Sequence, residues 1–192
     1  MGRGYPALMT DQPDRAQAPA TQAPATDAPG SDAPGTPALD ALAAAGIPFT
    51  VVRTEIAPSA EESAQLQGVP LGSLLRSILV RRAADDFLFV LVPGGRRFNW
   101  PKLRQLLATN RLTLPTEEEA KAETGYVRGA ITPFGARRAW PVIADASIQG
   151  LEVVAIGGGA RGVNVHLAPA DLIAVTGAQV VDITVPEERS GD

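Results

Sequence analysis

Two glycine-rich segments are the parts of the sequence best suited to hold a ligand through the backbone. The first, residues 124–135, carries three glycines and one proline beside Tyr126. Glycines permit positive φ and close approach of a ligand, and the proline stiffens the turn. Such a loop exposes N–H groups that can hold a carbonyl or an amine. The second segment, residues 157–162, joins two predicted strands; each alone is weak evidence, because most glycine-rich loops are plain turns.

A basic stretch between residues 76 and 111 contrasts with the formal net charge of -4. It holds eight basic residues against two acidic ones. Because guanidinium forks match phosphate oxygens and local fields steer association, this stretch could hold a phosphate-bearing partner. The alternative is a solvated basic face balanced by the glutamates at 117–119 and 123, and charge alone favours it.

Composition removes several kinds of catalytic site. The chain has no cysteine and a single histidine, His166. Disulfides, thiolate metal sites and a cysteine nucleophile are therefore excluded, and any Ser-His-Asp arrangement depends on His166 alone. His166 alternates with Val165 and Leu167 in a predicted strand, which favours a structural role. We predict neither a metal nor a cofactor, so the chemistry must use carboxylates, cations, hydroxyls, backbone amides or the substrate itself.

Short helices and β-branched strands must position these segments. Capping patterns predict helices that begin after Thr36, Ser59, Asn99, Thr116 and Ala168. Apolar, β-branched runs predict strands at 49–52, 77–80, 87–92, 142–144, 151–156, 162–167 and 180–185. The second and third of these strands should form a hairpin. Together they predict an α+β domain on a mixed, strongly curved sheet.

The domain boundaries follow from composition. Residues 1–36 repeat Ala-Pro four times at five-residue spacing, which predicts a disordered tail that cannot bury enough surface to offset its ordering entropy. Residues 37–185 should form the folded unit, and residues 186–192 a disordered C-terminus. No apolar run approaches the ~20 residues of a membrane span, so we expect a soluble, cytoplasmic protein.

In this order and spacing, the segments resemble the YbaK/EbsC family, the free-standing relatives of the editing domain inserted in bacterial prolyl-tRNA synthetases. The resemblance covers about residues 38–185, and its most specific feature is Gly129-x-x-x-Pro133. The resemblance also rests on residues 75–80, Val92-Pro93-Gly94, Thr124-Gly125-Tyr126, Ile143-Ala144-Asp145 and 158–162 with Leu172. It implies a barrel-like mixed sheet with flanking short helices, and trans-editing, which is hydrolysis of the ester joining a wrong amino acid to the tRNA 3′ end.

The resemblance also implies the site residues and a substrate-assisted reaction without a protein nucleophile or metal. The residues it assigns to catalysis are Arg76, Gly129, Ala130, Ile131, Thr132 and Pro133. Those assigned to substrate binding are Tyr126, Asp145, Gly157, Gly158, Arg161 and Asn164. The expected partners are the 3′ end of aminoacyl-tRNA and, as a second expectation, an aminoacyl-tRNA synthetase, with neither membrane nor DNA. For Tyr126 we favour packing over base stacking.

The sequence departs from the family pattern in three places. Arg76-Ser77-Ile78 stands where the family usually has Lys-Thr-Leu, Gly157 where it often has Ser, and Asn164 where it often has Asp. Arginine keeps the positive charge but cannot give up its proton at neutral pH. Three functions therefore remain open: an editing hydrolase, a catalytically weakened tRNA- or synthetase-binding paralogue, and a small-molecule esterase.

Overall fold

The computed structural model describes residues 25–27 and 35–187. Its helices are α1 Pro37–Ala45, α2 Ala60–Leu66, α3 Trp100–Leu106, α4 Glu117–Thr124 and α5 Pro169–Thr176. Its strands are β1 Ala25–Asp27, β2 Thr50–Arg53, β3 Leu75–Ala83, β4 Asp86–Pro93, β5 Arg96–Phe98, β6 Val142–Asp145, β7 Val154–Gly157, β8 Val163–Leu167, β9 Gln179–Val181 and β10 Thr184–Pro186. Single 3-10 turns lie at Leu71–Ser73 and Ala146–Ile148.

The helices begin where the capping residues predict. The Thr36 hydroxyl accepts from the Leu39 N–H at 3.2 Å, and the Asn99 side chain accepts from the Lys102 N–H at the same distance. Thr116 and Glu119 form a complete capping box, with both reciprocal hydrogen bonds present. Each cap satisfies N–H groups that the first helical turn leaves unpaired, which stabilises the helix by about 1 kcal/mol.

The strands form the mixed α+β architecture that the sequence predicts. One sheet has the order β3-β4-β6-β9 and is mixed, because β3 and β4 are antiparallel while β4-β6 and β6-β9 are parallel. A second sheet, β1-β2-β8-β7, is antiparallel, and β5 pairs with β10 in a short ribbon. A bridge between Leu74 and Ala155 joins the two larger sheets at one corner. The described strands do not close into a barrel.

Strand β4 is the centre of the core. Its side chains alternate between two apolar clusters: Phe87, Phe89 and Leu91 pack in the larger one, against β7, β8 and the helices α1 and α5. The alternate residues Leu88 and Val90 pack in the smaller one, with α3 and Ile183. A strand with both faces covered is apolar throughout rather than alternating, which explains the unbroken run of residues 87–92. The hairpin predicted for β3 and β4 is confirmed.

Two details of the strand prediction were wrong. The strand predicted at 180–185 is two strands, β9 and β10, because the Asp145 carboxylate accepts from the N–H groups of Ile183 and Thr184 and draws the chain out of the first pairing. Strand β5 was missed, because its three residues contain two arginines and give no apolar signal. Its structure depends on pairing with β10, which is distant in sequence.

Part of the tail predicted to be disordered is a strand. Residues Ala25–Asp27 pair antiparallel with Val51–Arg53 of β2. The other side of β2 pairs with β8, so β1 occupies its open edge. An open edge offers backbone donors and acceptors that do not depend on side chains, which is why an Ala-Thr-Asp segment can pair there. Residues 1–24, 28–34 and 188–192 lie outside the described residues. The prediction of a disordered C-terminus from residue 186 was wrong for its first two residues, because Pro186 pairs with Arg96 of β5 and the Glu187 N–H donates to the Gly95 carbonyl.

We propose that residues 37–185 form the folded unit, with the tail dispensable. A chain that begins at Pro34 keeps Thr36, whose hydroxyl donates to the Gly158 carbonyl, but loses β1. Since only three residue pairs of an edge strand are removed, we expect a melting temperature within a few degrees of the parent. Thermal denaturation followed by circular dichroism measures this, with a chain that begins at Gln22 as the control that keeps β1. A drop of more than 10 °C would contradict the boundary.

Candidate active site

A cavity of about 710 Å³ opens between β3, α4, the 129–131 part of the first glycine-rich loop and the ends of β7 and β8. Five of the predicted site residues line it: Arg76, Gly129, Ile131, Gly157 and Asn164. The cavity is large enough for an aminoacyl group with part of a nucleoside. The structure therefore brings together residues from four segments that are separated in the sequence.

The free edge of β3 forms one wall of this cavity. β3 pairs with β4 on one side only, and its other edge is covered at its ends by the Leu74–Ala155 and Arg81–Thr113 bridges. The N–H and C=O of Arg81 both bond to Thr113. Because backbone groups alternate in direction along an antiparallel strand, those of Ser77 and Leu79 point to the same open side. The cavity wall thus presents backbone donors and acceptors.

Ser77 is a cavity residue that the sequence prediction did not include. Its hydroxyl oxygen is buried and has no hydrogen-bond partner among the residues described, and Ser77 lines the cavity. A buried hydroxyl normally finds a partner. We therefore expect it to bond to a bound ligand. The signal in the sequence was its place in the Arg76-Ser77-Ile78 departure, but nothing local showed which face of β3 would be open.

The first glycine-rich loop is braced from behind. Gly129 is exposed and has a φ of 86°, a conformation that favours glycine. The Tyr126 hydroxyl donates to the Phe134 carbonyl at 2.8 Å and so ties the two ends of the loop together. Ala130 and Thr132 are buried, and with Pro133 they stand outside the cavity lining. The loop reaches the cavity through Gly129 and Ile131.

The second glycine-rich segment touches the first at Gly157. A Cβ built at Gly157 would lie 3.5 Å from the Ile131 carbonyl oxygen and 3.8 Å from the Ala130 carbonyl group. The backbone of residues 130–131 therefore rests on a position that has no side chain. Asn164, opposite Gly157 in the β7–β8 pairing, donates weakly to the Val52 carbonyl and the Thr54 hydroxyl at 3.4 and 3.3 Å.

Arg76 borders the cavity, but its guanidinium already has partners. Its Nη2 donates to the Arg96 carbonyl and to the Glu187 carboxylate, the latter at 2.8 Å. The side chains of this ion pair are each a little over one-third exposed. The buried Nε has no partner among the described residues. An incoming phosphate would have to compete with Glu187 for this guanidinium, and the pair is exposed enough for that exchange to cost little.

Four predicted binding residues lie away from this cavity. Tyr126 is buried and packs in the larger core cluster, as favoured for it from the sequence. Burial, together with the negative charge of Asp40, raises the pKa of Tyr126 to about 12, so it stays a neutral hydrogen-bond donor. Gly158 donates its N–H to the Val163 carbonyl inside the β7–β8 turn. Arg161 is exposed on that turn, outside the lining of the cavity.

Asp145, the fourth of these, is a structural brace. Its side chain is 2% exposed, and its carboxylate accepts from the N–H and hydroxyl of Ser147 and from the N–H groups of Ile183 and Thr184. Burial alone would raise the pKa of Asp145, but the hydrogen bonds from Ser147, Thr184 and Ile183 outweigh it and lower the pKa below 3.8. No contact with a ligand in the cavity is therefore expected for Asp145.

Half of the basic residues between residues 76 and 111 are paired with acidic residues outside this stretch, and Arg82 is paired with Asp86 inside it. Five of its cations form ion pairs: Arg76 with Glu187, Arg81 with Glu119, Arg82 with Asp86, Arg96 with Asp145 and Lys102 with Asp182. Arg104 lies over the Trp100 ring. Arg97 and Arg111 are exposed and have no side-chain partner within the described part of the chain. The local charge is therefore weaker than the sequence count.

His166 does not take part in the cavity. Its Nε2 lies 3.1 Å from the Gln67 side-chain oxygen, and burial lowers the pKa of the imidazole. Because this is the single histidine of the chain and it does not line the cavity, no Ser-His pair forms there. Within residues 25–27 and 35–187, no cluster of His, Asp and Glu suits a metal ion. The same residues include no helix long and apolar enough to cross a membrane.

An ion pair that the sequence analysis did not single out stands at the cavity rim. Arg128 Nη1 lies 3.2 Å from the Glu117 carboxylate, and both side chains are mostly exposed. Glu117 is in the first turn of α4 and Arg128 directly precedes Gly129, so the pair connects α4 with the first glycine-rich loop. Such an exposed pair is worth less than about 1 kcal/mol. It does not hold the cavity closed.

Comparison with known proteins gives one consistent result. A family model described as "Aminoacyl-tRNA editing domain" matches residues 54–175. EbsC of Enterococcus faecalis, which carries the provisional name Cys-tRNA(Pro)/Cys-tRNA(Cys) deacylase, is 24% identical over 129 residues, or 67% of this chain and 79% of EbsC. The proline–tRNA ligase of Thermosipho africanus is 33% identical over 98 residues, 51% of this chain but 17% of the ligase. A crystal structure described as a proposed trans-editing enzyme for prolyl-tRNA synthetase superposes with a TM-score of 0.69 at 26% identity, covering 79% and 96% of the two chains.

Proposed function

Because the chain belongs to the aminoacyl-tRNA editing domain family, we propose that it is a trans-editing deacylase that removes a wrong amino acid from the 3′ end of a tRNA. In this reaction a water molecule adds to the carbonyl carbon and the ester bond to the ribose oxygen breaks. The products are the free amino acid and the intact tRNA. The second expected partner, an aminoacyl-tRNA synthetase, would supply the mischarged tRNA.

The observation that supports this proposal best is the pairing of Gly129 with Ile131 on one cavity wall and the free β3 edge on another. Together they offer backbone N–H groups and the Ser77 hydroxyl, which can orient an ester carbonyl and stabilise the oxyanion that develops on it. Ile131, Leu75 and Leu79 give the same cavity apolar surface for an amino-acid side chain. These groups bind and orient the ester substrate but do not supply a nucleophile.

The attacking group is proposed to come from solvent or from the substrate. Glu117, the one carboxylate in the cavity lining, is exposed and bound to Arg128. An activated ester needs little more than orientation and an oxyanion contact, which is worth roughly 10²-fold or more in rate. Attack by water releases the free amino acid directly. Attack by a thiol of the substrate side chain would release it as a cyclic thioester that water then opens, and attack by the neighbouring ribose hydroxyl would only move the ester, so that water must still complete the release.

A panel of mischarged tRNAs tests the proposal. The full chain should release amino acid from at least one mischarged tRNA well above the spontaneous rate, and simple activated esters should react poorly in comparison. Release from activated esters alone would favour the small-molecule esterase. Binding of tRNA without release from any member would favour the non-catalytic paralogue, which is the second candidate because Arg76 is already held by Glu187.

Arg76 separates the two leading functions. As an anchor for a substrate phosphate, Arg76→Ala should lower kcat/KM about 10- to 100-fold, equivalent to a charge-assisted contact of ~1.5 to 3 kcal/mol. Arg76→Lys keeps the charge and should stay within about tenfold of the parent. Single-turnover deacylation measures both, with circular dichroism to show that they remain folded. A sharp gain of activity in Arg76→Lys would instead show that this position must exchange a proton.

A further inference from the structure

A second, smaller cleft of about 290 Å³ is lined by three arginines, Arg81, Arg82 and Arg111. The rest of its lining is Ala83, Ala84 and Thr113, so no carboxylate lines it. Arg81 and Arg82 are each paired with a carboxylate outside this lining, Glu119 and Asp86, so the third arginine, Arg111, gives the cleft a net positive charge. A net positive charge on a concave surface without a carboxylate in its lining attracts an anion.

Two of these arginines make side-chain contacts that orient their guanidinium groups. Arg81 donates through Nε to the Thr113 hydroxyl at 3.1 Å and through Nη1 to Glu119 at 2.6 Å. Arg82 donates through Nε and Nη2 to Asp86. These contacts leave Nη2 of Arg81 and Nη1 of Arg82 for a ligand. Arg111 is exposed, and its whole guanidinium is without a partner in the described chain. Preorganised donors lose less conformational entropy on binding.

The cleft is next to the active-site cavity. Leu79 lines the cavity and Arg81 lines the cleft, two residues further along β3. Two residues of a strand span roughly 7 Å. In the segment that pairs with Arg81, Thr113 lines the cleft and the next residue, Leu114, lines the cavity. The two concave surfaces thus lie on either side of a single backbone junction, the Arg81–Thr113 bridge.

We propose that this arginine cleft binds a backbone phosphate of the RNA strand whose 3′-terminal nucleotide lies in the active-site cavity. The proposal rests on the proposed function. Guanidinium groups can donate two hydrogen bonds to phosphate oxygens. A phosphate contact beside the cavity fixes the position of the RNA strand along the protein surface and does not depend on base sequence. The cleft therefore selects an aminoacylated polynucleotide over an aminoacyl nucleoside.

The test uses an uncharged RNA hairpin with a single-stranded 3′ end, so that binding is measured without any reaction. The variant is Arg82→Gln/Arg111→Gln, and the matched control is Lys121→Gln/Arg137→Gln, which removes two exposed cations outside both concave surfaces. Fluorescence anisotropy from 50 to 200 mM KCl gives the affinity and its salt dependence. We expect the variant to bind about tenfold more weakly than the control, with the slope of log K against log salt reduced by about 0.7.

A second arm identifies the phosphate. Hairpins with one neutral methylphosphonate linkage, placed at each of the last three positions in turn, are bound to parent and variant. At one position the neutral linkage should weaken binding to the parent but not to the variant, since the two changes remove the same contact. Equal losses in parent and variant at every position would overturn the proposal, as would a variant that binds like the control.

These results are independent of whether the chain is a deacylase. Coupling between the cleft and one linkage, without any release of amino acid, would support the phosphate site and overturn the editing function. Deacylation without this coupling would support the editing function and overturn the phosphate site. For an active chain, the variant should also lose kcat/KM on charged tRNA while keeping it on an aminoacyl-adenosine, which has no upstream phosphate.

Discussion

Asp145→Ala should destabilise the protein by about 3 to 5 kcal/mol, a large part of the stability of a domain of this size. The variant removes the acceptor for the N–H groups of Ile183 and Thr184, and an unpaired buried donor costs about 1 to 3 kcal/mol. It also leaves Arg96 without the carboxylate 3.8 Å away. We expect the β9–β10 segment to loosen first, with the ribbon that β10 forms with β5.

Urea denaturation followed by circular dichroism measures this loss. The matched control is Asp182→Ala, which removes a mostly exposed carboxylate paired with Lys102 and should change the free energy of unfolding by less than about 1 kcal/mol. If Asp145→Ala were as mild as Asp182→Ala, the brace would not be part of the folded state in solution.

The Asp145 effect should depend on pH in a defined direction. Its pKa in the folded state is lower than the ordinary value of 3.8, which applies to the unfolded chain. The ionised carboxylate therefore stabilises the fold above about pH 4, and this stabilisation is lost as the pH falls through the folded-state pKa. The difference in stability between the parent and Asp145→Asn should accordingly be constant near neutral pH and shrink in acid. A difference that grew in acid would mean that the carboxyl is protonated in the folded state.

Gly157→Val should abolish most activity while leaving the fold intact. The Cβ would take the 3.5 Å space in front of the Ile131 carbonyl, and the two further methyl groups of valine should displace residues 130–131. A displacement of about 1 Å at a positioning loop costs roughly 10²-fold in rate. We therefore expect kcat/KM on mischarged tRNA to fall about 100-fold, with a melting temperature within a few degrees of the parent.

Gly157→Ala is the graded control. Its single methyl group makes an ordinary van der Waals contact with the loop, so kcat/KM should remain within a few-fold of the parent. Single-turnover deacylation and thermal denaturation are measured on both variants. Full activity in Gly157→Val would show that the contact between the two glycine-rich segments does not position the substrate.

The sequence determined the features that short-range physics decides. Three helix N-termini were predictable, because each cap side chain accepts from an N–H group three residues further on. The caps are Thr36, Asn99 and Thr116. The unbroken apolar run of β4 made its burial on both faces predictable. The resemblance carried by Gly129-x-x-x-Pro133 gave the family, which the comparisons confirm.

Only the tertiary structure decided which groups share a surface. Asp145 became a brace because the backbone of residues 183–184 arrives beside it from 38 positions away, and Ser77 became a cavity residue because β3 is left at the edge of its sheet. Likewise, acids such as Glu119 and Glu187 neutralised most of the basic stretch, whereas Arg111 at the small cleft has no side-chain partner among the described residues. Pairings of this kind depend on which distant backbone and side-chain groups meet after folding, and no local pattern in the sequence encodes that geometry.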